Sequence, residues 1–219
     1  DDEYTDFLTV SYSSTDYVGH DFGVNSVELQ DTYLRLDLEI ERLLNYLDTK
    51  VGEGNYTLFL TSDHGAAEVP SFLKDIDAPG GYVQKNMFTP LYATLKAKYG
   101  VSDFIKNISN DQIFLNYDLI KSQQLDLVDV QEFIVNDIIN YSAVSKAYTA
   151  TTMQTSYFKD GMEKTLQNGY NQKLSGDVLF TLKSGVIAYG PKGTTHGSGY
   201  TYDTHVPLLF YGNGIQKGK

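Results

Sequence analysis

The spacing of apolar residues divides the first sixty positions into a strand, a helix and a second strand. Residues 6–13 alternate apolar with polar side chains and are rich in β-branched and aromatic types, which predicts a strand. Residues 26–47 repeat leucine, isoleucine and tyrosine every three or four positions, which predicts a helix that Asn25 or Ser26 can cap. Residues 55–61 predict a second buried strand. This strand–helix–strand order predicts a parallel pair joined by a right-handed crossover.

The middle of the chain has a different character. Residues 66–89 contain glycine, proline and aspartate but little periodicity, and they predict a loop. Beyond them, short elements of both types follow one another: strands over 112–120 and 143–152, and helices over 126–140 and 156–170. Residues 177–189 predict a strand or hairpin, 190–199 a glycine-rich loop and 206–211 a strand that re-enters the core.

These elements predict an α/β chain with a mostly parallel sheet flanked by helices and a small α+β subdomain. We divide the chain into residues 1–95 as part of the α/β core, 96–175 as the subdomain and 176–219 as the return to the core. The first strand follows residue 1 almost at once, so we expect the chain to be the later part of a longer protein.

Composition narrows the possible partners. A net charge of −11 argues against nucleic acid, whose phosphates require a basic surface. No apolar stretch approaches the roughly 18–20 residues of a membrane span. The absence of cysteine excludes disulfides, thiolate chemistry and cysteine-ligated zinc.

All four histidines lie at the ends of predicted strands. His20, His64 and His196 occur in short loops after apolar runs, and His205 directly precedes the strand over 206–211. Strand ends are where α/β proteins collect ligands for metals and substrates. Imidazole combined with carboxylate is the ligand mixture that zinc-class metals favour.

Two of these histidines have an acid close by in sequence. Asp16 and His20 are four residues apart, so both could reach one ion if their segment coils into a helical turn. Taken alone, this pair is more often a capping acid and a surface histidine. Asp63 and His64 are adjacent, so they can converge only where the strand ends and Gly65 permits a turn. A pair that only ends the strand through its own hydrogen bonds is an equally good interpretation.

The other two histidines differ in their surroundings. His196 follows Thr195 in a loop with four glycines and has no apolar face to pack on, which favours a metal ligand. His205 adjoins a core strand and is better interpreted as a buried, hydrogen-bonded support, a role we also give Thr195. Two carboxylates and three imidazoles would complete one metal site and part of a second.

Several segments together resemble the alkaline phosphatase superfamily. They are Ser-Ser-Thr-Asp-Tyr-Val-Gly-His over 13–20, Thr-Ser-Asp-His-Gly over 61–65, Thr-His-Gly-Ser-Gly over 195–199 and Thr-His-Val-Pro-Leu-Leu-Phe-Tyr-Gly over 204–212. The nearest likeness is to the phosphate-irrepressible, monoesterase-type alkaline phosphatases of Gram-negative bacteria. The likeness runs in order along the whole chain and implies a three-layer sandwich fold, present here in part.

This resemblance also implies roles for the site residues. Asp16, His20 and His196 would bind one zinc ion, and Asp63 and His64 a second. A further Asp and a nucleophilic Thr or Ser complete the second site in the family, and no segment of this chain resembles that region. The chain would then be the C-terminal part of a phosphatase without its nucleophile, and inactive alone.

The activity implied is hydrolysis of small phosphate monoesters through a covalent phosphoenzyme, in the periplasm or outside the cell. Relatives with similar motifs are phosphodiesterases, nucleotide pyrophosphatases and phosphomutases, and these remain alternatives. A non-catalytic, metal-stabilised binding domain is an alternative of another class.

Overall fold

The structure is a computed structural model that describes residues 4–216 and 218. Its helices are Ser14–Phe22 (α1), Val27–Lys50 (α2), Pro70–Asp75 (α3), Thr89–Tyr99 (α4), Tyr117–Ser122 (α5), Leu127–Ile138 (α6), Ala150–Thr155 (α7), Gly161–Gly169 (α8) and Thr201–Thr204 (α9). Its strands are Thr57–Thr61 (β1), Gly81–Tyr82 (β2), Ile105–Ser109 (β3), Gln112–Leu115 (β4), Val144–Thr149 (β5), Val178–Leu182 (β6), Val186–Ile187 (β7) and Leu208–Gly212 (β8). Among these residues, no helix combines the length and the apolar character needed to cross a bilayer.

The described strands form three small sheets. β1 pairs antiparallel with β8, and β2 pairs parallel with β7. The third sheet has the order β3-β4-β6-β5, and its neighbours are all antiparallel. The strands predicted over 206–211 and 55–61 are confirmed as β8 and β1, but their predicted burial is wrong, because both are largely exposed among the described residues. The hairpin considered for 177–189 is wrong, because β7 pairs with β2 rather than with β6.

The parallel unit predicted at the start of the chain does not form among the described residues. The helix over 26–47 is confirmed as α2, and Ser26 caps it by accepting the Leu29 N–H at 3.1 Å. The strand predicted over 6–13 is wrong, since residues 5–12 have no strand assignment. A strand is defined by a partner whose backbone accepts and donates its hydrogen bonds. Among the described residues, β1 pairs with β8 instead.

Three predicted element boundaries differ from the observed ones, and helix caps and a proline explain the differences. The strands over 112–120 and 143–152 end early because Asn116 and Thr149 cap the helices α5 and α7. Their side chains accept the backbone N–H groups of Leu119 and Thr152. The predicted loop over 66–89 contains α3, which begins at Pro70, a residue suited to a first helical position.

A cluster of buried apolar residues lies between α4, α6 and the four-stranded sheet. Its members are Leu91, Leu95, Phe104, Ile113, Leu115, Ile120, Val130, Ile134, Ile138, Val144, Val178 and Phe180. The predicted helix over 126–140 is confirmed as α6, which contributes three of them. The sheet includes β6, which lies beyond the predicted subdomain end at residue 175. The division into domains itself stays a prediction.

Candidate metal centre

Three separate segments bring their acidic and imidazole side chains together. Asp16 and His20 lie on α1, where the sequence predicted a loop; His64 follows β1, and His196 lies in the loop between β7 and α9. One ligand atom each from Asp16, His64 and His196 lie within 4.8 Å of one another. Residues far apart in sequence therefore share one small volume.

The carboxylate of Asp16 is the centre of this group. Its Oδ1 lies 3.4 Å from His20 Nε2, 3.7 Å from His196 Nε2 and 3.9 Å from His64 Nε2. The predicted convergence of Asp16 with His20 is confirmed, because α1 supplies the helical turn that places residues four apart on one face. One oxygen thus faces three imidazole nitrogens.

Backbone carbonyls fix the proton on two of these imidazoles. His20 Nδ1 lies 2.8 Å from the Thr194 carbonyl oxygen, and His64 Nδ1 lies 2.8 Å from the Gly65 carbonyl oxygen. A carbonyl only accepts, so each Nδ1 must carry a proton and donate. In a neutral ring the remaining Nε2 is then a bare acceptor that faces another acceptor, the Asp16 carboxylate. A cation at this point would satisfy both, so the donor set fits a divalent metal.

The third imidazole also has the properties of a metal ligand. Burial and the neighbouring His64 lower the pKa of His196, against smaller effects of Asp16 and Asp203 that raise it. Its ring stacks on His64 with centroids 3.3 Å apart and an angle of 13°. A lowered pKa keeps the imidazole neutral, which is the form that binds a metal.

The remaining predicted site residues lie at the edge of the group. The Asp63 side chain is 87% exposed, and its Oδ2 lies 3.6 Å from His64 Nε2. Thr195 contributes its carbonyl, which accepts the Ala67 N–H at 3.1 Å. The expectation that His205 is buried and hydrogen-bonded is wrong: His205 is exposed, and its ring makes no hydrogen bond among the described residues. The division of the ligands between two ions stays a prediction.

Two glycines permit the close approach of these segments. A Cβ at Gly65 would lie 2.0 Å from the Tyr202 carbonyl oxygen, and one at Gly193 would lie 1.7 Å from the His20 carbonyl oxygen. Real Cβ contacts are never so short, so any side chain would push the backbones apart. Gly65 thus allows the His64 turn to pack closely against α9, and Gly193 allows the glycine-rich loop to pack closely against the end of α1.

Thr194 and Asp203 also belong to this candidate centre, although neither was predicted from the sequence. Thr194 is buried, its hydroxyl donates to the Ala67 carbonyl, and its own carbonyl orients His20. Asp203 is 4% exposed and accepts hydrogen bonds from Ser198. An acid directly before the Thr204-His205 motif was a usable signal for Asp203. Backbone contacts such as those of Thr194 leave no signal in the side-chain pattern.

A cavity of about 310 Å³ opens beside His196. Asp111, Thr195, Tyr202 and Asp203 are among the residues that line it. Burial raises the pKa of Asp111 to about 6. The cavity is of a size that small ligands occupy, and His196 of the candidate metal centre lines it.

The chain belongs to the type I phosphodiesterase / nucleotide pyrophosphatase family, within the alkaline phosphatase superfamily, and the family model matches residues 1–206. Over 219 residues it is 40% identical to the alkaline phosphatase PafA of Elizabethkingia meningoseptica. It is also 40% identical over 215 residues to the alkaline phosphatase PhoV of Synechococcus elongatus and over 220 residues to a calcium-transporting ATPase of Myroides odoratus. These matches cover 98–100% of this chain.

The crystal structure of wild-type PafA is similar to this structure with a TM-score of 0.87 and 39% identity. The match covers 94% of this chain and 39% of that one. The resemblance proposed from the motifs and the predicted fold class are therefore confirmed. The chain spans about 40% of the length of the curated relatives it matches.

Replacing Gly193 with alanine should loosen the metal centre. The added methyl group would have to displace the His20 carbonyl, at a cost of about 1–3 kcal/mol, as for other overpacked sites. We expect a lower free energy of unfolding in urea, followed by circular dichroism. Gly190→Ala is the matched control, because a Cβ there meets no atom within 4 Å. Equal behaviour of the two variants would contradict the packing argument.

Proposed function

We propose that this chain is the metal-binding C-terminal part of a zinc-dependent phosphate monoester hydrolase. The observation that carries the proposal is the single Asp16 oxygen facing three imidazole nitrogens, two of them on rings whose other nitrogen is committed to a carbonyl. Neutral imidazoles and carboxylates without cysteine are a typical ligand set for catalytic zinc. The names of the PafA and PhoV relatives support a monoesterase.

Asp16, His20 and His196 would hold one zinc ion, and Asp63 and His64 would contribute to the second. When bound, such ions polarise phosphoryl oxygens and lower the pKa of coordinated water. The chain's own part is to fix the ligands. α1 sets the spacing of Asp16 and His20, and the carbonyls of Thr194 and Gly65 hold His20 and His64 in the tautomer that presents Nε2.

The reaction would proceed through a covalent phosphoenzyme. We place its nucleophilic Thr or Ser, and a further Asp ligand, in a segment that precedes residue 1 in the complete protein. The share of about 40% that this chain covers in its relatives supports this placement. We propose that this chain alone binds zinc but has negligible turnover.

An apolar surface supports the presence of that partner segment. Phe7 is 77% exposed and Val10 51%, while Phe59 of β1 and Phe210 of β8 are 50% and 54% exposed. The two strands have a described partner only in each other. The Phe59 and Phe210 rings are neighbours, with centroids 6.2 Å apart, and exposed apolar groups of this kind mark interaction sites. We propose that the preceding segment packs on this face and extends the β1–β8 sheet.

The substrates would be small phosphate esters, for which the cavity beside His196 offers space. Nucleic acid is a poor partner for a chain with a net charge of −11. We also propose a location in the periplasm or outside the cell, on the basis of the motifs alone. The name of the matched family favours a phosphodiesterase as the second candidate.

An aryl-phosphate assay on this chain and on the complete protein tests the proposal. We expect zinc-dependent hydrolysis of the monoester by the complete protein, slower hydrolysis of a bis-aryl diester, and no turnover by this chain alone. A robust rate from this chain would show that the nucleophile lies within it. Faster diester hydrolysis would favour the phosphodiesterase, and a complete protein without either activity would favour a metal-stabilised binding domain.

A further inference from the structure

The short helix α9 supports the turn that carries His64. The Gly65 N–H donates to the Asp203 carbonyl oxygen at 2.8 Å. Gly65 also lies so close to α9 that a Cβ would be 3.5 Å from the Asp203 Cα and far nearer to the Tyr202 carbonyl. The backbone of Asp203 therefore anchors the end of β1 directly after the candidate ligands Asp63 and His64.

The side chain of the same residue holds the loop that carries His196. Oδ2 of Asp203 accepts the Ser198 N–H at 2.7 Å and the Ser198 hydroxyl at 2.6 Å. Ser198 lies two residues after His196, so these bonds fix the loop just beyond the imidazole. Asp203 thus joins two ligand-bearing segments, one through its carbonyl and one through its carboxylate.

The other carboxylate oxygen of Asp203 raises the question of why this position holds an acid rather than an amide. Oδ1 of Asp203 is buried and has no hydrogen-bond partner among the described residues. Burying a charge is costly, and an asparagine could accept both Ser198 bonds at a lower cost. A negative charge here is understandable if a neighbour benefits from it. His196, a candidate metal ligand, lines the same cavity as Asp203, so the carboxylate would attract a cation bound there.

We propose that Asp203 is a positioning residue for the metal centre, which holds the His64 turn and the His196 loop at the separation that a bound metal requires. This inference rests on the proposed function, because it assumes that these histidines bind a metal. In this role Asp203 itself contacts neither the metal nor the substrate.

The test measures zinc affinity in this chain by competition with a chromogenic chelator. We expect Asp203→Ala to lower the affinity about 10- to 100-fold, as removal of groups that orient metal ligands does elsewhere. Asp203→Asn should recover part of that loss, since an amide oxygen can still accept from Ser198. Thr201→Ala is the control, because Thr201 is an exposed residue of the same helix whose side chain makes no hydrogen bond within the described part of the chain.

The absorption spectrum of bound Co²⁺ separates positioning from general folding. We expect an altered spectrum in Asp203→Ala and a spectrum close to that of the unmodified chain in Asp203→Asn, while far-ultraviolet circular dichroism stays unchanged. Unmodified affinity and spectrum in Asp203→Ala would overturn the inference. If that variant does not fold, Ser198→Ala decides. It removes the hydroxyl bond to Asp203, together with the bond that the hydroxyl accepts from the Tyr200 N–H, and should weaken zinc binding in the same direction. Unchanged binding would overturn the inference. Failure of the unmodified chain to bind zinc or cobalt would instead refute the proposed metal site.

Discussion

Replacing Asp16 with asparagine should lower the zinc affinity of the chain by more than about 100-fold, because this change removes the charge shared by three imidazoles. Loss of a group that only orients a ligand costs about 10- to 100-fold, and loss of a ligand atom should cost more. An amide oxygen has the shape of the carboxylate but not its charge. The zinc affinity of this chain, measured by chelator competition, and the rate of aryl-phosphate hydrolysis by the complete protein should therefore fall together.

Asp21→Asn is the matched control for this change. Asp21 lies on α1, is exposed and makes no ion pair or hydrogen bond with its side chain among the described residues, so its loss removes one charge from the same helix. Zinc binding in this control should stay close to that of the unmodified chain. A similar loss of affinity in both variants would mean that the field of the acidic chain, rather than Asp16 itself, attracts the ion.

The sequence indicated the acid and imidazoles that converge, but it did not indicate the groups that support them. Asp16 and His20 could be identified because their spacing depends only on the local geometry of one helical turn. His196 could be identified because a histidine among glycines has nothing apolar to pack on. Thr194 acts mainly through its carbonyl, and every residue has a carbonyl. Its role depends on the approach of α1 to the glycine-rich loop, which only the folded chain specifies.

The same distinction applies to the fold. α2 was predicted well because its cap and its apolar repeat lie within one segment. The strand over 6–13 has equally good local propensity, but a strand also requires hydrogen bonds from a neighbour. The parallel direction was inferred from the order of the elements. Order alone did not indicate that β8, from the far end of the chain, would pair with β1 in the opposite direction.

Replacing Ile134 with alanine should lower the free energy of unfolding by about 2–5 kcal/mol, the range for buried isoleucine or leucine truncated to alanine. Ile134 lies on α6, is 0% exposed and belongs to the buried apolar cluster between α4, α6 and the four-stranded sheet. Alanine would leave a cavity that the surrounding rings and aliphatic side chains can fill only in part. Urea unfolding of the metal-free chain, followed by circular dichroism, measures the change.

Ile139→Ala is the control, since the same atoms are removed five residues further along the chain from a side chain that is 40% exposed. We expect it to cost clearly less than Ile134→Ala, because this side chain is already partly exposed to water. No member of the buried cluster makes a hydrogen bond, ion pair or ring contact with Asp16, His20, His64 or His196 among the described residues. Under conditions where Ile134→Ala is folded, its zinc affinity should therefore equal that of the unmodified chain. A loss of affinity comparable to that of Asp16→Asn would show that this core holds the ligands in place, and the two regions would then have to be treated as one cooperative unit.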